Sequence, residues 1–122
     1  MTVAQFRVLL ALDGLGRVPS STLASTLGMV ASSVTRLVDR LQAAGLAVRG
    51  TDERNRSIVT VDVTEAGREL VTSVLERRHV LLAAVLDEMD PRDREAAAAA
   101  ARAFVVLAGD AVMLGAAGPV PV

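Results

Sequence analysis

Apolar residues recur at helical spacing from the start of the chain. Val3, Phe6, Leu9, Leu10 and Leu12 form one such set, and Thr2 with Gln5 has capping-box spacing, so a helix over Thr2–Asp13 is expected. Gly14-Leu15-Gly16 stops it, and Arg17-Val18-Pro19 reads as a short extended link. A second, short helix follows Ser20-Ser21-Thr22, carries Leu23, Ala24 and Leu27, and ends at Gly28, where a left-handed residue is easiest to accommodate. Gly28-Met29-Val30 separates it from a third helix over about Ala31–Ala44, in which Val34, Leu37, Val38 and Leu41 share one face and Gly45 closes the run. Two short helices joined by a three-residue turn that begins with Gly form the pattern of a helix-turn-helix.

The period then changes. Leu46-Ala47-Val48-Arg49 is a short apolar run, residues 50–57 are polar, and Ile58–Val63 alternates with Val59, Val61 and Val63 on one face. Two strands around a polar, Arg-bearing loop make a β-hairpin, and a hairpin directly after the third helix is the order of a winged helix. Thr64-Glu65-Ala66-Gly67 opens a long helix to about Met89. Asp90-Pro91 restarts the chain as cap and first helical residue, with Asp93 and Glu95 complementing the helix dipole. From Ala96 to Ala117 the chain is nearly all apolar. The expected fold is mainly α with a small β-hairpin: a winged helix-turn-helix over 1–67, a C-terminal helical dimerisation arm over 68–117, and a flexible tail over 118–122.

Composition narrows the function. The 122 residues contain no Cys and a single His, which removes disulfide scaffolds, Cys-ligated metals and a multi-histidine site within one subunit. Two Phe and no Trp or Tyr leave no platform for stacking single-stranded bases. The N-terminus lacks a basic start and a cleavable apolar run, so no signal peptide is expected and the chain is placed in the cytoplasm. Arg102 and Asp110 would fall inside any membrane span drawn over Ala96–Ala117, so no membrane partner is expected. No nucleophile–base set or Gly-rich phosphate loop stands out, and neither an enzyme nor a cofactor is expected. Glu76-x-x-His79 matches half of a di-iron motif without the other half.

Net charge is −1, which argues against a nucleic-acid partner until its distribution is considered. Residues 17–56 hold six Arg against Asp39, Asp52 and Glu53, a net +3, while residues 62–95 hold five Arg against nine acids, a net −4. All thirteen cations are Arg, each with a planar, bidentate head.

The third helix carries the most chemistry. Its apolar stripe leaves Ser32, Ser33, Thr35, Arg36, Asp39 and Arg40 off the core. Ser32 and Ser33 lie in the first turn, where free N–H groups and the dipole attract phosphate, and Arg36 is long enough to reach a guanine edge in the major groove. An isolated helix with these residues would read as an ordinary solvated face. Its setting between a Gly turn and an Arg-tipped hairpin favours duplex DNA. In the hairpin loop, Arg54 or Arg56 would enter the minor groove, with Asp52 orienting an Arg through a salt bridge. Ser20, Ser21 and Thr22 fit either phosphate contact or helix capping.

Val3-Ala4-Gln5-Phe6-Arg7-Val8-Leu9, Leu23-Ala24-Ser25-Thr26-Leu27-Gly28, Ser33 through Leu46, and Asp52-Glu53-Arg54-Asn55-Arg56 leading to Val63-Thr64-Glu65-Ala66-Gly67 occur in an order and spacing that resembles the MarR (multiple-antibiotic-resistance regulator) family of bacterial transcription regulators. The resemblance implies a homodimer on a pseudo-palindromic operator, usually repressing transcription. It also implies control by a small phenolic or lipophilic effector bound between the DNA-binding lobe and the dimerisation helices. Three positions depart from the family pattern. Met1 falls where the second helix of the family begins, so the dimer is expected to lean on residues 68–117. Ser57 replaces a frequent further Arg, and Val30 a frequent capping Ser.

The arm supports an oligomer on its own evidence. Leu81, Leu82, Val85, Leu86, Phe104, Val105, Val106, Leu107, Val112, Met113 and Leu114 exceed what two helices beside a small winged helix can hide, and an apolar patch of that extent marks a partner surface. The bland alternative is a helical hairpin satisfied within the chain. Two rival functions stay open: a winged-helix protein-interaction module, and a truncated regulator that pairs with full-length partners.

Overall fold

The structure, a computed structural model, describes residues 1–115, with side chains through residue 109. The expected tail 118–122 and the side chains of Val112, Met113 and Leu114 lie outside the described residues. The elements run α1 (Val3–Leu15), β1 (Val18–Pro19), α2 (Ser20–Leu27), α3 (Ala31–Ala43), β2 (Ala47–Thr51), β3 (Val59–Val63), α4 (Glu65–Glu88) and α5 (Pro91–Gly115). They divide into two compact units, Met1–Arg78 and the chain from His79 onward.

The first unit is a winged helix-turn-helix. The capping box opens α1 as expected, with the Gln5 N–H donating to Thr2 Oγ1 at 3.1 Å and the Thr2 N–H to Gln5 Oε1 at 2.9 Å. Its buried face is Val8, Leu9 and Leu12, whereas Val3 is 79% exposed and Leu10 41% exposed. The buried face is therefore rotated from the expected one: α1 is apolar on most sides, so its periodicity does not select one. Gly28 ends α2 at φ 64° and ψ 33°, a left-handed conformation that a Cβ would penalise. In α3, Val34, Val38 and Leu41 are buried and Leu37 packs against them. With Leu23, Ala47, Val61, Val63 and Val71 these side chains close one core.

The expected two-stranded hairpin is a three-stranded antiparallel sheet in the order β1-β3-β2. The link at Val18–Pro19 supplies the extra strand, with Val18 opposite Val61 and Pro19 opposite Thr60. Proline is tolerated there because β1 is an edge strand. In β3 the expected Val face holds at Val61 and Val63 only. Val59, opposite Thr51 at the root of the loop, is exposed, while Thr60, on the other face of the strand, is buried at 4% exposure. At the start of α4, the Thr64 hydroxyl donates to the Gly45 carbonyl at 2.7 Å and accepts from the Gly67 N–H at 3.1 Å. Gly67 lets α4 start directly against the link between α3 and β2, since a Cβ would strike the Leu46 carbonyl oxygen and stand 2.7 Å from Val63 Cγ2.

In the second unit, Asp90 caps α5 through the Arg92 N–H at 2.9 Å, as the Asp-Pro restart predicts. Leu81, Leu82, Val85, Leu86, Phe104, Val105 and Leu107 are all exposed in the single chain, Phe104 at 72%. No helix among the described residues is long and apolar enough to cross a membrane.

Candidate nucleic-acid interface

The face of α3 opposite its buried stripe carries the expected polar set. Ser32, Thr35, Arg36 and Arg40 are exposed and Ser33 is half-buried. The N-cap, Val30, offers no side-chain acceptor, and the first amides engaged are those of Ser33 and Val34, both donating to the Val30 carbonyl. The start of α3 thus keeps hydrogen-bonding capacity that a capping Ser would have used. The Thr35 hydroxyl donates back to the Ala31 carbonyl at 3.0 Å. Ser33, Arg36 and Arg40 share a shallow hollow of about 400 Å³ with Ala4, Met29, Val30 and Leu37.

Asp39 is the one acid on this helix, and its charge is answered locally. Arg49 of β2 reaches Asp39 Oδ1 at 2.6 Å through Nη1, which also donates to Gln42 Oε1 at 2.8 Å, while Nη2 donates to the Thr35 carbonyl at 3.0 Å. One guanidinium thereby fastens the sheet to two turns of α3 and removes a negative charge from a face that would meet phosphate.

In the first helix of the motif, α2, the N-cap is Pro19 with no side-chain cap bond. Helix capping therefore does not explain Ser20, Ser21 and Thr22; Ser21 and Thr22 are exposed and Ser20 is half-buried.

The loop between β2 and β3 is ordered by its own side chains. Asp52 Oδ1 accepts from the N–H groups of Arg54 at 2.8 Å and Asn55 at 3.3 Å, and Asn55 Oδ1 accepts from the Ser57 N–H at 3.1 Å and hydroxyl at 2.6 Å. The expected Asp52–Arg salt bridge is absent from the described residues, whose ion pairs are Arg49–Asp39 and Arg68–Asp13. A carboxylate two residues before a turn finds backbone N–H groups before it finds a mobile guanidinium, so Asp52 shapes the loop rather than aiming an Arg. Arg54 and Arg56 are exposed, and Arg54 lines a second hollow with Arg17, Pro19, Asp52, Glu53 and Thr60.

The sequence reading missed Arg49, Arg17 and Asn55. Only Asn55 left a local signal, as an Asn in a polar turn. Glu76 and His79 gain no third partner, since no group of three or more potential metal ligands occurs among the described residues.

Known proteins share this fold. The sequence model of the MarR family matches residues 1–56. Over 96 residues the chain is 30% identical to the HTH-type transcriptional regulator YfiV of Bacillus subtilis, itself uncharacterized; the match takes in 79% of this chain and 60% of YfiV, so the chain spans well under the full length of that relative. The fold is similar to RV1404 from Mycobacterium tuberculosis, with a TM-score of 0.80, 34% identity, and coverage of 86% of this chain and 72% of that one. It is also similar to a MarR family protein from Bacillus stearothermophilus, with a TM-score of 0.77, 28% identity, and coverage of 92% and 76%. BpsR of Bordetella bronchiseptica, whose DNA binding is regulated by 6-hydroxynicotinic acid, matches with a TM-score of 0.61, 26% identity, and coverage of 86% and 75%.

Proposed function

The chain belongs to the MarR family, and on that premise we propose that it is a cytoplasmic transcription regulator that binds a pseudo-palindromic operator as a homodimer and represses until a small effector releases it. Residues 1–67 are the DNA-binding domain in this reading and residues 68–117 the dimerisation arm. Each α3 lies in a major groove, with Arg36 on a base edge and Ser32, Ser33, Thr35 and Arg40 on base edges and backbone. Arg54 and Arg56 of the wing enter the flanking minor groove, and Ser20, Ser21 and Thr22 meet phosphate.

One observation carries this reading. Val34, Val38 and Leu41 lock α3 into the core while its opposite face presents two guanidinium groups with no ion-pair partner among the described residues, and the sole acid on that helix is paired with Arg49. The partner is a second copy of the chain, through the exposed Leu81, Leu82, Val85, Leu86, Phe104, Val105 and Leu107 with Val112 and Leu114 beyond them. The effector is a small phenolic or lipophilic molecule. The regulation of BpsR by 6-hydroxynicotinic acid supports that class.

The test is titration of the full chain with duplex DNA from the region upstream of its own gene at two salt concentrations. The expected result is tight binding that weakens steeply with salt, by about 0.9 in log–log slope for each phosphate neutralised. Absence of binding in dilute buffer refutes the reading and favours a protein-interaction module.

A further inference from the structure

Arg17 belongs to none of the elements assigned to DNA, yet its side chain crosses the sheet beneath the wing. It stands one residue before β1, at one edge of the order β1-β3-β2. Its Nε donates to Thr60 Oγ1 on the central strand at 3.1 Å, and its Nη2 donates to the carbonyl of Thr51, the last residue of β2, at 2.6 Å. The path is open because position 50 is Gly: a Cβ there would stand 3.1 Å from Arg17 Nη2 and 3.2 Å from Thr60 Oγ1. Thr60 is a buried hydroxyl on the face of β3 away from the core residues Val61 and Val63, and Arg17 is its bonding partner. Three residues far apart in sequence are thus matched to one another.

The bond to Thr51 falls at the root of the wing. Asp52 follows directly, and its carboxylate and the Asn55 amide tie the loop to itself through Arg54, Asn55 and Ser57. A loop so braced moves as a piece, and holding Thr51 sets the direction in which Arg54 and Arg56 leave the sheet. Along the chain, Arg17 lies two residues before Pro19, the N-cap of α2, so the anchor refers the wing to the helix-turn-helix as well as to the sheet.

We infer that Arg17 is the positioning residue of the wing. Resting on the DNA-binding reading above, it fixes where Arg54 and Arg56 meet the minor groove, and hence the preference for base pairs flanking each half-site, without reading a base itself.

The experiment uses the full chain with Arg17→Ala, Thr60→Val, Thr60→Ser, Gly50→Ala and the double variant Arg54→Ala/Arg56→Ala. Without DNA, amide hydrogen exchange is followed in residues 52–57 and in α3. Arg17→Ala, Thr60→Val and Gly50→Ala are expected to speed exchange in the loop about tenfold while α3 is unchanged, and Thr60→Ser to behave as the unaltered chain. With DNA, the probes are duplexes selected from a randomised pool by the unaltered chain, then remade with A·T or G·C flanks. Arg17→Ala is expected to bring the A·T-to-G·C affinity ratio to about one, to keep discrimination within the half-sites, and to add nothing in the Arg54→Ala/Arg56→Ala background. Unchanged loop exchange overturns the anchor. Uniform weakening across all flanks, or full additivity with the double variant, overturns the positioning role. A chain that selects no duplex overturns the DNA reading and the flanking-preference half of this inference, while the exchange arm still decides the anchoring half.

Discussion

Arg36 and Arg40 owe their availability to their neighbours. Val34, Val38 and Leu41 are buried on the far side of the helix, and Asp39, which would otherwise sit between the two cations as a competing partner, is held by Arg49 at 2.6 Å. Replacing Arg36 by Ala should cost about 1–3 kcal/mol on the preferred duplex and relax the choice of base at one position per half-site, measured by competition between single-base variants. This face of α3 is legible in the sequence because a stripe at i, i+3, i+4 and i+7 defines its own opposite. Arg49 and Arg17 are not. Arg49 works on Thr35 fourteen positions away and Arg17 on Thr60 forty-three positions away, and no local pattern announces which Arg the fold will bend back. Asp52 misleads for the same reason: charge suggests an ion pair, whereas the turn offers nearer N–H donors.

Among the elements, the wing and the junction of α4 with the link after α3 make separate demands. In the proposed reading the wing acts through charge brought to DNA by a braced loop. Arg54→Ala/Arg56→Ala should lower the log–log salt slope by up to about 1.8 and leave the melting temperature unaltered, checked by titration over a salt series and by thermal unfolding. The junction acts through close approach. Gly67→Ala should destabilise the fold by about 1–3 kcal/mol, read from denaturant unfolding, because its Cβ meets the Leu46 carbonyl and Val63. Helices with a clear stripe or cap emerge from the sequence at nearly their true bounds, α3 and the Asp90–Pro91 restart among them. The elements misjudged are those whose face depends on distant partners. The apolar surface of α1 runs round the helix, β1 is a strand only because β3 lies beside it, and Thr60, on the face of β3 away from Val61 and Val63, is buried where Arg17 meets it.

The whole molecule poses the question of what covers the arm. Val85 and Phe104 are 60% and 72% exposed in the single chain, and apolar groups of that size, repeated along two helices, favour association. Light scattering at micromolar concentration should give twice the chain mass. Val85→Glu with Phe104→Glu should shift it toward the monomer and weaken operator binding together, because a two-fold operator rewards only a linked pair of reading helices. A monomeric unaltered chain at that concentration refutes self-pairing and favours a regulator that joins a longer partner.

Protection of guanine N7 against methylation, mapped on a duplex that the chain selects from randomised DNA, confronts the whole account at once. Two protected patches on one side of the helix are expected, about 10 base pairs apart, each losing a guanine contact in Arg36→Ala. A single patch, protection that Arg36→Ala leaves untouched, or none at all contradicts it.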